Sequence, residues 1–335
     1  MTQKKIEYKV ADQFHSGLTI RGLFALWLPT IRTQVGPTSY DNYERIVERH
    51  ILPVIGDCEV DYLTVADIDD FLEGKLKNGR LDGKGGLSVK SVKDISWLLH
   101  SALKLVEWDY SFAVNEHVFI QSQHAKRELE TLTISQAETL TKYLTQHLNR
   151  SNAGFLLCLF TGIKLSEICS LKDSDFALDQ DVIRIRRTLQ RVTMREPSSR
   201  QVQEATVDYG PEDSNYRDLV LPTRLSMLLW SILRQSSGDV YFLTGSSSAP
   251  IGSRTYQYRF QKILTACNLP ATVNFHMLRH TFALLWMLRS NDLPGLSKAL
   301  GHASVKVTQN RYSKILSTAE NIRPACTKYL CLNVK

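Results

Sequence analysis

Residues 274–283, read as Asn-Phe-His-Met-Leu-Arg-His-Thr-Phe-Ala, carry the densest chemistry in this 335-residue chain. His276 and Arg279 stand three residues apart, the spacing that puts two side chains on one helix face. His302 follows Arg279 by 23 residues within Leu300-Gly301-His302, and Tyr312 comes ten residues later. Two basic groups, a proton-transfer group and a phenol can bind one phosphodiester and attack it. Attack piles charge onto the non-bridging oxygens, so preorganised cationic donors lower the barrier most, each typically worth about 10²–10³ in rate. Arg suits that role because its planar fork holds two oxygens and stays charged. A tyrosine nucleophile stores the broken bond as a phosphotyrosyl ester, so the strand can be rejoined without ATP. No metal and no cofactor is required. Taken singly, each piece has an ordinary structural reading: surface decoration for His-x-x-Arg, a helix C-cap for Leu-Gly-His, a packed aromatic for Tyr312. Their order and spacing together carry the chemical reading.

These residues resemble the C-terminal signature of the tyrosine recombinase (phage integrase) family, H-x-x-R-H, then L-G-H, then the nucleophilic Tyr. Upstream, Phe160-Thr161-Gly162-Ile163-Lys164-Leu165-Ser166-Glu167-Ile168 resembles the family's T-G-x-R-x-S-E box. Thr161, Gly162, Ser166 and Glu167 match, while Lys164 stands where the family has its first catalytic Arg. As an alternative, Ser166 and Glu167 serve as helix-cap chemistry. Further on, Asp181–Thr188 alternates as a strand should, and Tyr216–Pro222 reads as the returning strand. The resemblance implies a Lys shortly before Arg217 that protonates the leaving 5′ oxygen. Gly210–Asn215 contains none, and no Lys occurs between Lys172 and Lys262. Lys164 keeps a charge and loses the bidentate fork; a missing general acid costs about 10²–10⁴. Either substitutes serve (Lys164, Arg217 or a hairpin Arg), or the chain is a slow or inactive relative. The expected catalytic set is Tyr312, Arg279, His276, His302 and Lys164.

The elements that must position this set read as mainly α with a small β-sheet. Residues 1–12 form a polar tail. A helical core DNA-binding, SAM-like domain is expected over 13–120, a polar linker over 121–128, and a mixed α/β catalytic domain over 129–335 with a tail from 317. In the first domain, a helix runs from Leu18 to Arg32, ended by Pro29 or soon after. A second opens at Thr38-Ser39 and runs to His50. Thr64 caps a third that ends near Asn78, and Ser88 starts a fourth through Trp97 and Leu103 to Trp108. This plan resembles the family's core-binding domain, which grips the opposite face of DNA from the catalytic domain; a plain helical interaction module is the alternative. Lys84, Lys90 and Lys93 cluster there as candidate DNA contacts. In the second domain, Leu132–Glu138 opens a helix with both T-x-x-Q and S-x-x-E box spacing. A helix from Ser253 to Asn268 presents Arg254, Tyr256, Tyr258, Arg259 and Lys262, with Arg254, Arg259 and Arg217 as candidate phosphate contacts. In the tail, Ile322, Ala325, Tyr329 and Leu332 recur at helical spacing.

Charge points the same way. The chain carries 41 Lys/Arg against 34 Asp/Glu, net +7. Residues 1–128 hold 16 and 18 of these, net −2, and the remainder 25 and 16, net +9. A basic half is the electrostatic footprint of nucleic-acid binding. Six cysteines without C-x-x-C spacing read as reduced core thiols, and a zinc site is not expected. No apolar run approaches the roughly 20 residues of a membrane span, and the start lacks a secretion signal's apolar core. The resemblance implies a bacterial cytoplasmic, nucleoid-associated recombinase or integrase of a mobile element or phage. Such an enzyme works as a homo-tetramer on paired duplex sites and admits accessory DNA-bending proteins. A catalytically impaired DNA-binding relative and a type IB topoisomerase-like enzyme are the competing readings. The three-stranded arm-binding domain of many integrases is not expected ahead of Leu18.

Overall fold

A computed structural model describes residues 17–106, 129–196, 199–234 and 239–312. The expected linker at 121–128, Trp108 and the C-terminal stripe beyond 316 lie outside the described residues. The chain divides into two compact units that part near residue 126, with residues 192–202 grouping with the first.

The first unit is helical. Helix α1 (Ile20–Ile31) starts where Thr19 accepts the Gly22 N–H, and it buries Ile20, Leu23, Phe24 and Trp27. Pro29 sits inside its last turn without ending it. Helix α2 (Pro37–Ile46) opens one residue before the expected Thr38-Ser39 start, because Pro37 follows Gly36 with a φ already suited to the first helical position. Nor does the helical path stop at His50. It widens into a π turn over Val47–Ile51 and continues as α3 (Leu52–Ile55), whose opening turn tolerates Pro53. Helix α4 (Val65–Asn78) begins with a reciprocal box between Thr64 and Asp67, and α5 (Val89–Leu103) with Ser88 accepting the Ser91 N–H. Their apolar faces meet in one core that includes Leu23, Val47, Ile51, Ile68, Val92, Ile95 and Leu99.

The second unit holds α6 (Ile134–Gln146), α7 (Arg150–Thr161), α8 (Leu165–Ser170), α9 (Thr223–Leu233), α10 (Ser253–Ala266), α11 (Phe275–Ser290) and α12 (Leu293–Leu300). Of the two expected boxes at the start of α6, Thr133 with Gln136 is the one formed. A small antiparallel sheet runs β1 (Phe176–Ala177), β2 (Val182–Ile185), β5 (Arg217–Val220). The two expected strands therefore pair, in the register Val182↔Val220 and Ile185↔Arg217. Between them lies a second hairpin, β3 (Arg187–Glu196) and β4 (Ser199–Asp208), which sequence reading passed over. Phe155, Tyr256, Phe260 and Phe275 stack at ring separations of 4.4–6.1 Å and bind α7, α10 and α11 together. Tyr256 belongs wholly to this core, its hydroxyl donating to the Ser151 carbonyl at 2.7 Å. Cys158 and Cys169 are core thiols as expected, Cys267 is partly covered, and Cys58 is exposed instead.

Candidate active site

Helix α11 is the axis of the site. Asn274 accepts the Met277 N–H and sets its first turn, from which His276 projects exposed while Arg279 and His280 are buried. The Arg279 guanidinium donates through Nη1 to the Gly162 carbonyl and through Nη2 to the Leu300 carbonyl, both at 2.6 Å. Each carbonyl lies at a helix C-terminus, of α7 and of α12, where unpaired acceptors and the negative dipole end favour a cation. Burial pulls the Arg279 pKa below its ordinary value, with Tyr312 and Glu167 opposing.

The glycines of the two motifs make this convergence possible. Gly162 closes α7 and Gly301 closes α12, both left-handed, with φ of 67° and 64°. A Cβ at 162 would stand 2.4 Å from the Phe282 ring, and one at 301 only 3.0 Å from Arg217 Nη1.

His302 follows Gly301. Its Nδ1 hydrogen-bonds Thr308 Oγ1 at 2.7 Å, and its Nε2 faces Arg279 Nη2 at 3.4 Å. Partial burial, then the charges of Arg279 and Arg311, lower its pKa to about 4. Tyr312, on a helix that begins at residue 305, is 1% exposed and packs among Phe282, Leu284, Met287 and Leu300. Its hydroxyl shares a hydrogen bond with His280 Nδ1 at 3.1 Å. Burial raises the phenol pKa, against Arg279 and Arg311. Burial, then Arg311, pulls His280 down to about 4, so its ring is neutral at pH 7. The exposed His276 is lowered by local desolvation first, then by Arg311 and Arg279.

Lys164 caps α8, and its backbone N–H donates to Glu167 Oε2 at 2.9 Å. Of the cap chemistry expected in this box, Glu167 supplies its part by accepting the Lys164 N–H. The Lys164 ammonium donates to Asn215 Oδ1 and lies 3.8 Å from Glu167 Oε1. Burial first, then Arg279 and Arg217 against Glu167, lowers its pKa.

Arg217 corrects an expectation. Read as a phosphate contact, it is 5% exposed and donates four hydrogen bonds within the protein. Nη1 and Nη2 donate to Glu167 Oε1 and Oε2 at 2.9 and 3.0 Å, Nε to the Ala299 carbonyl at 2.8 Å, and Nη1 also to the Asn215 carbonyl at 2.9 Å. A guanidinium so placed joins β5, α8 and α12 and has no face for DNA. Burial alone would raise the Glu167 carboxyl, but hydrogen bonds and charge from Arg217, with Lys164, hold it below the usual range.

The structure thus brings together Arg279, His302, Tyr312 and Lys164, with His276 and the unforeseen His280 and Arg311 beside them. His280 had a sequence signal, the final His of H-x-x-R-H; Arg311 had only its place before Tyr312. Arg254 and Arg259 are exposed on α10, and Arg254, Tyr258 and His276 line one shallow cleft. Lys84, Lys90 and Lys93 are exposed around the loop before α5 in the first unit. Among the described residues, no group of His, Cys, Asp and Glu could hold a metal ion, and no helix is long and apolar enough to cross a membrane.

Comparison with known proteins shows the family and the fold. Residues 130–318 match the phage integrase family, and residues 19–76 match the phage integrase N-terminal SAM-like domain. A tyrosine recombinase XerC from Bacillus pumilus is 25% identical over 262 residues, covering 75% of this chain and 80% of its own length. A XerC-like tyrosine recombinase from Caldanaerobacter subterraneus subsp. tengcongensis is also 25% identical; the match covers 56% of this chain and 51%, about half, of that relative. Among solved structures, the Tn1549 transposon integrase in complex with circular intermediate DNA superposes with a TM-score of 0.65 at 19% identity, covering 91% of this chain and 99% of that one. A lambda integrase tetramer bound to a Holliday junction gives 0.57 at 15% identity, covering 88% and 78%. Both likenesses are of fold. With more than half its length matching the family, from the Thr-Gly box through Tyr312, the chain belongs to the phage integrase family of tyrosine recombinases.

Proposed function

We propose that the chain is a site-specific DNA recombinase that cuts and rejoins duplex DNA through a 3′-phosphotyrosyl intermediate, in an integrative mobile element or phage. The observation that carries this reading is the convergence on one buried guanidinium. Arg279 is fixed between two helix ends, His302 faces its Nη2, and Tyr312 packs beside both. In this reading the scissile phosphate takes charge-assisted hydrogen bonds from Arg279, His276, His302 and Lys164. The Tyr312 oxygen attacks phosphorus, the 5′ oxygen departs, and rejoining reverses the step on a new 5′ hydroxyl. Tyr312 must turn outward to attack, giving up its bond to His280.

Arg254 and Arg259 on α10 supply backbone contacts beside His276, and Lys84, Lys90 and Lys93 supply others from the helical unit. Together with the +9 charge of residues 129–335, they support duplex DNA as the partner. We place the reaction in a bacterial cytoplasm, on paired sites held by a homo-tetramer that accessory DNA-bending proteins can assist. The tail beyond 317 is the proposed subunit connector. Deleting 318–335 then leaves single-site binding intact and removes paired-site complexes; undiminished paired-site assembly contradicts the connector role.

The test is covalent capture. A library of nicked duplexes with randomised core sequence should yield an SDS-stable protein–DNA adduct. Retention of duplexes without any adduct is the outcome expected of a binding-only relative and contradicts the enzyme reading.

A further inference from the structure

Lys164 differs from the two buried guanidiniums of the site in what holds it and in what it can release. Arg279 and Arg217 are anchored by bonds to fixed carbonyl and carboxylate acceptors, two for Arg279 and four for Arg217. The Lys164 ammonium has three donors and two neighbouring acceptors, Asn215 Oδ1 and Glu167 Oε1, and its side chain stays 33% exposed. Both acceptors are themselves immobilised. The Asn215 backbone N–H and its Nδ2 donate to Asp213 Oδ1 at 2.8 and 2.7 Å, and its carbonyl accepts from Arg217 Nη1. That bond from Nδ2 fixes the amide so that its oxygen, not its NH₂, meets the lysine. Glu167 is fully buried and clamped by Arg217. An immobilised ammonium that keeps a third proton free for a substrate oxygen can do what a guanidinium cannot, which is to give that proton up.

Resting on the strand-transfer reading above, we propose that Lys164 is the proton donor to the departing 5′ oxygen, and that Asn215, held by Asp213, is the residue that positions it. As Tyr312 O bonds to phosphorus, its proton passes to the neutral imidazole of His302, which lies beside it. The P–O5′ bond breaks with its electron pair on O5′, and O5′ takes a proton from Lys164 Nζ, leaving a 5′ hydroxyl and a neutral amine. Burial, which pushes the Lys164 ammonium below its ordinary pKa, makes it the stronger acid that this step uses.

The experiment uses a duplex recovered by covalent capture, made with either oxygen or sulfur at the bridging 5′ position. A thiolate leaves without being protonated, so the sulfur duplex needs no acid. We expect Lys164→Gln and Lys164→Arg to slow adduct formation by about 10²-fold or more on oxygen and to restore near wild-type rates on sulfur. Asn215→Ala should lose about 10-fold on oxygen and little on sulfur, as expected of partial loss of general-acid catalysis; it supplies the same test if the Lys164 variants fold poorly. Equal losses on both duplexes would leave only a charge-stabilising role, and Lys164→Arg at or above the wild-type rate on oxygen would also overturn the assignment. If the wild-type protein forms an adduct with neither duplex, the strand-transfer reading itself fails; wild-type cleavage without sulfur rescue sinks only the lysine.

Discussion

The two units of this chain solve different problems, and their interiors show it. In the helical unit the core is carbon: among the described residues only Glu44 and Ser96 are buried polar groups there. In the unit carrying Tyr312 the buried polar set includes Glu167, Asp175, Arg217, Arg279, His280, Thr281 and Thr308. Ion pairs divide the same way. Arg21–Asp57 lies at the surface, with side chains 53% and 86% exposed, whereas Arg217–Glu167 has 3% and 0%. A surface pair contributes little because water screens it. A buried pair need not raise net stability either, but breaking one leaves an uncompensated charge in the interior. The first unit needs only to hold a shape. The second holds two buried guanidiniums in place, and it does so with backbone carbonyls and a buried carboxylate.

The contrast is sharpest in stability. Arg217→Ala should destabilise the catalytic unit by about 3–5 kcal/mol, read by denaturant unfolding. Arg21→Ala should cost under about 1 kcal/mol. In the helical unit a comparable loss requires removing carbon: Leu99→Ala, at a fully buried position, should cost about 2–5 kcal/mol. Near-equal effects of the two arginine changes would erase the distinction. Arg279→Ala should lower cleavage by about 10²–10³-fold in single-turnover assays on a captured duplex, and full activity would remove Arg279 from the phosphate.

Acid should separate the units more gently. His280 and His302 are held near 4 in the fold, below the ordinary value of 6.5. The unfolded chain takes up those protons first, so this stability is complete above about pH 6.5 and is lost as pH falls toward 4. His280→Phe should flatten the decline of Tm between pH 7 and 5; an unchanged slope would show that His280 does not contribute. The smallest effect concerns salt. Removing Arg254 or Arg259 should reduce the slope of log K against log salt by about 0.9 each, with no change in cleavage of bound DNA. Binding independent of salt would contradict the phosphate contacts as a group.

Sequence legibility also divides along this line. Caps are local, so Thr64, Ser88 and Thr133 announced helix starts that the structure forms. The path through Pro53 was not legible, because a π turn lets a proline follow a helix that would otherwise end. The β2–β5 pairing showed in alternation, yet the inserted hairpin was missed although Ala205 and Val207 alternate with Thr206 and Asp208 after Pro197-Ser198. At the site, motif spacing made Arg279, His302, Tyr312 and Lys164 visible together. The burial of Arg217 was not, since its carboxylate partner lies 50 residues away and spacing does not say which acid a cation will meet. Asn215 was invisible for the same reason; its meaning depends on Asp213 and Lys164 converging in space.

The central claim is that Tyr312 becomes covalently joined to DNA. The most direct measurement is mass spectrometry of the proteolysed adduct from a nicked-duplex capture, run beside Tyr312→Phe. The account predicts a nucleotide-bearing peptide containing Tyr312 and no adduct from the variant. An adduct that survives Tyr312→Phe, or one that maps to another residue, would contradict it.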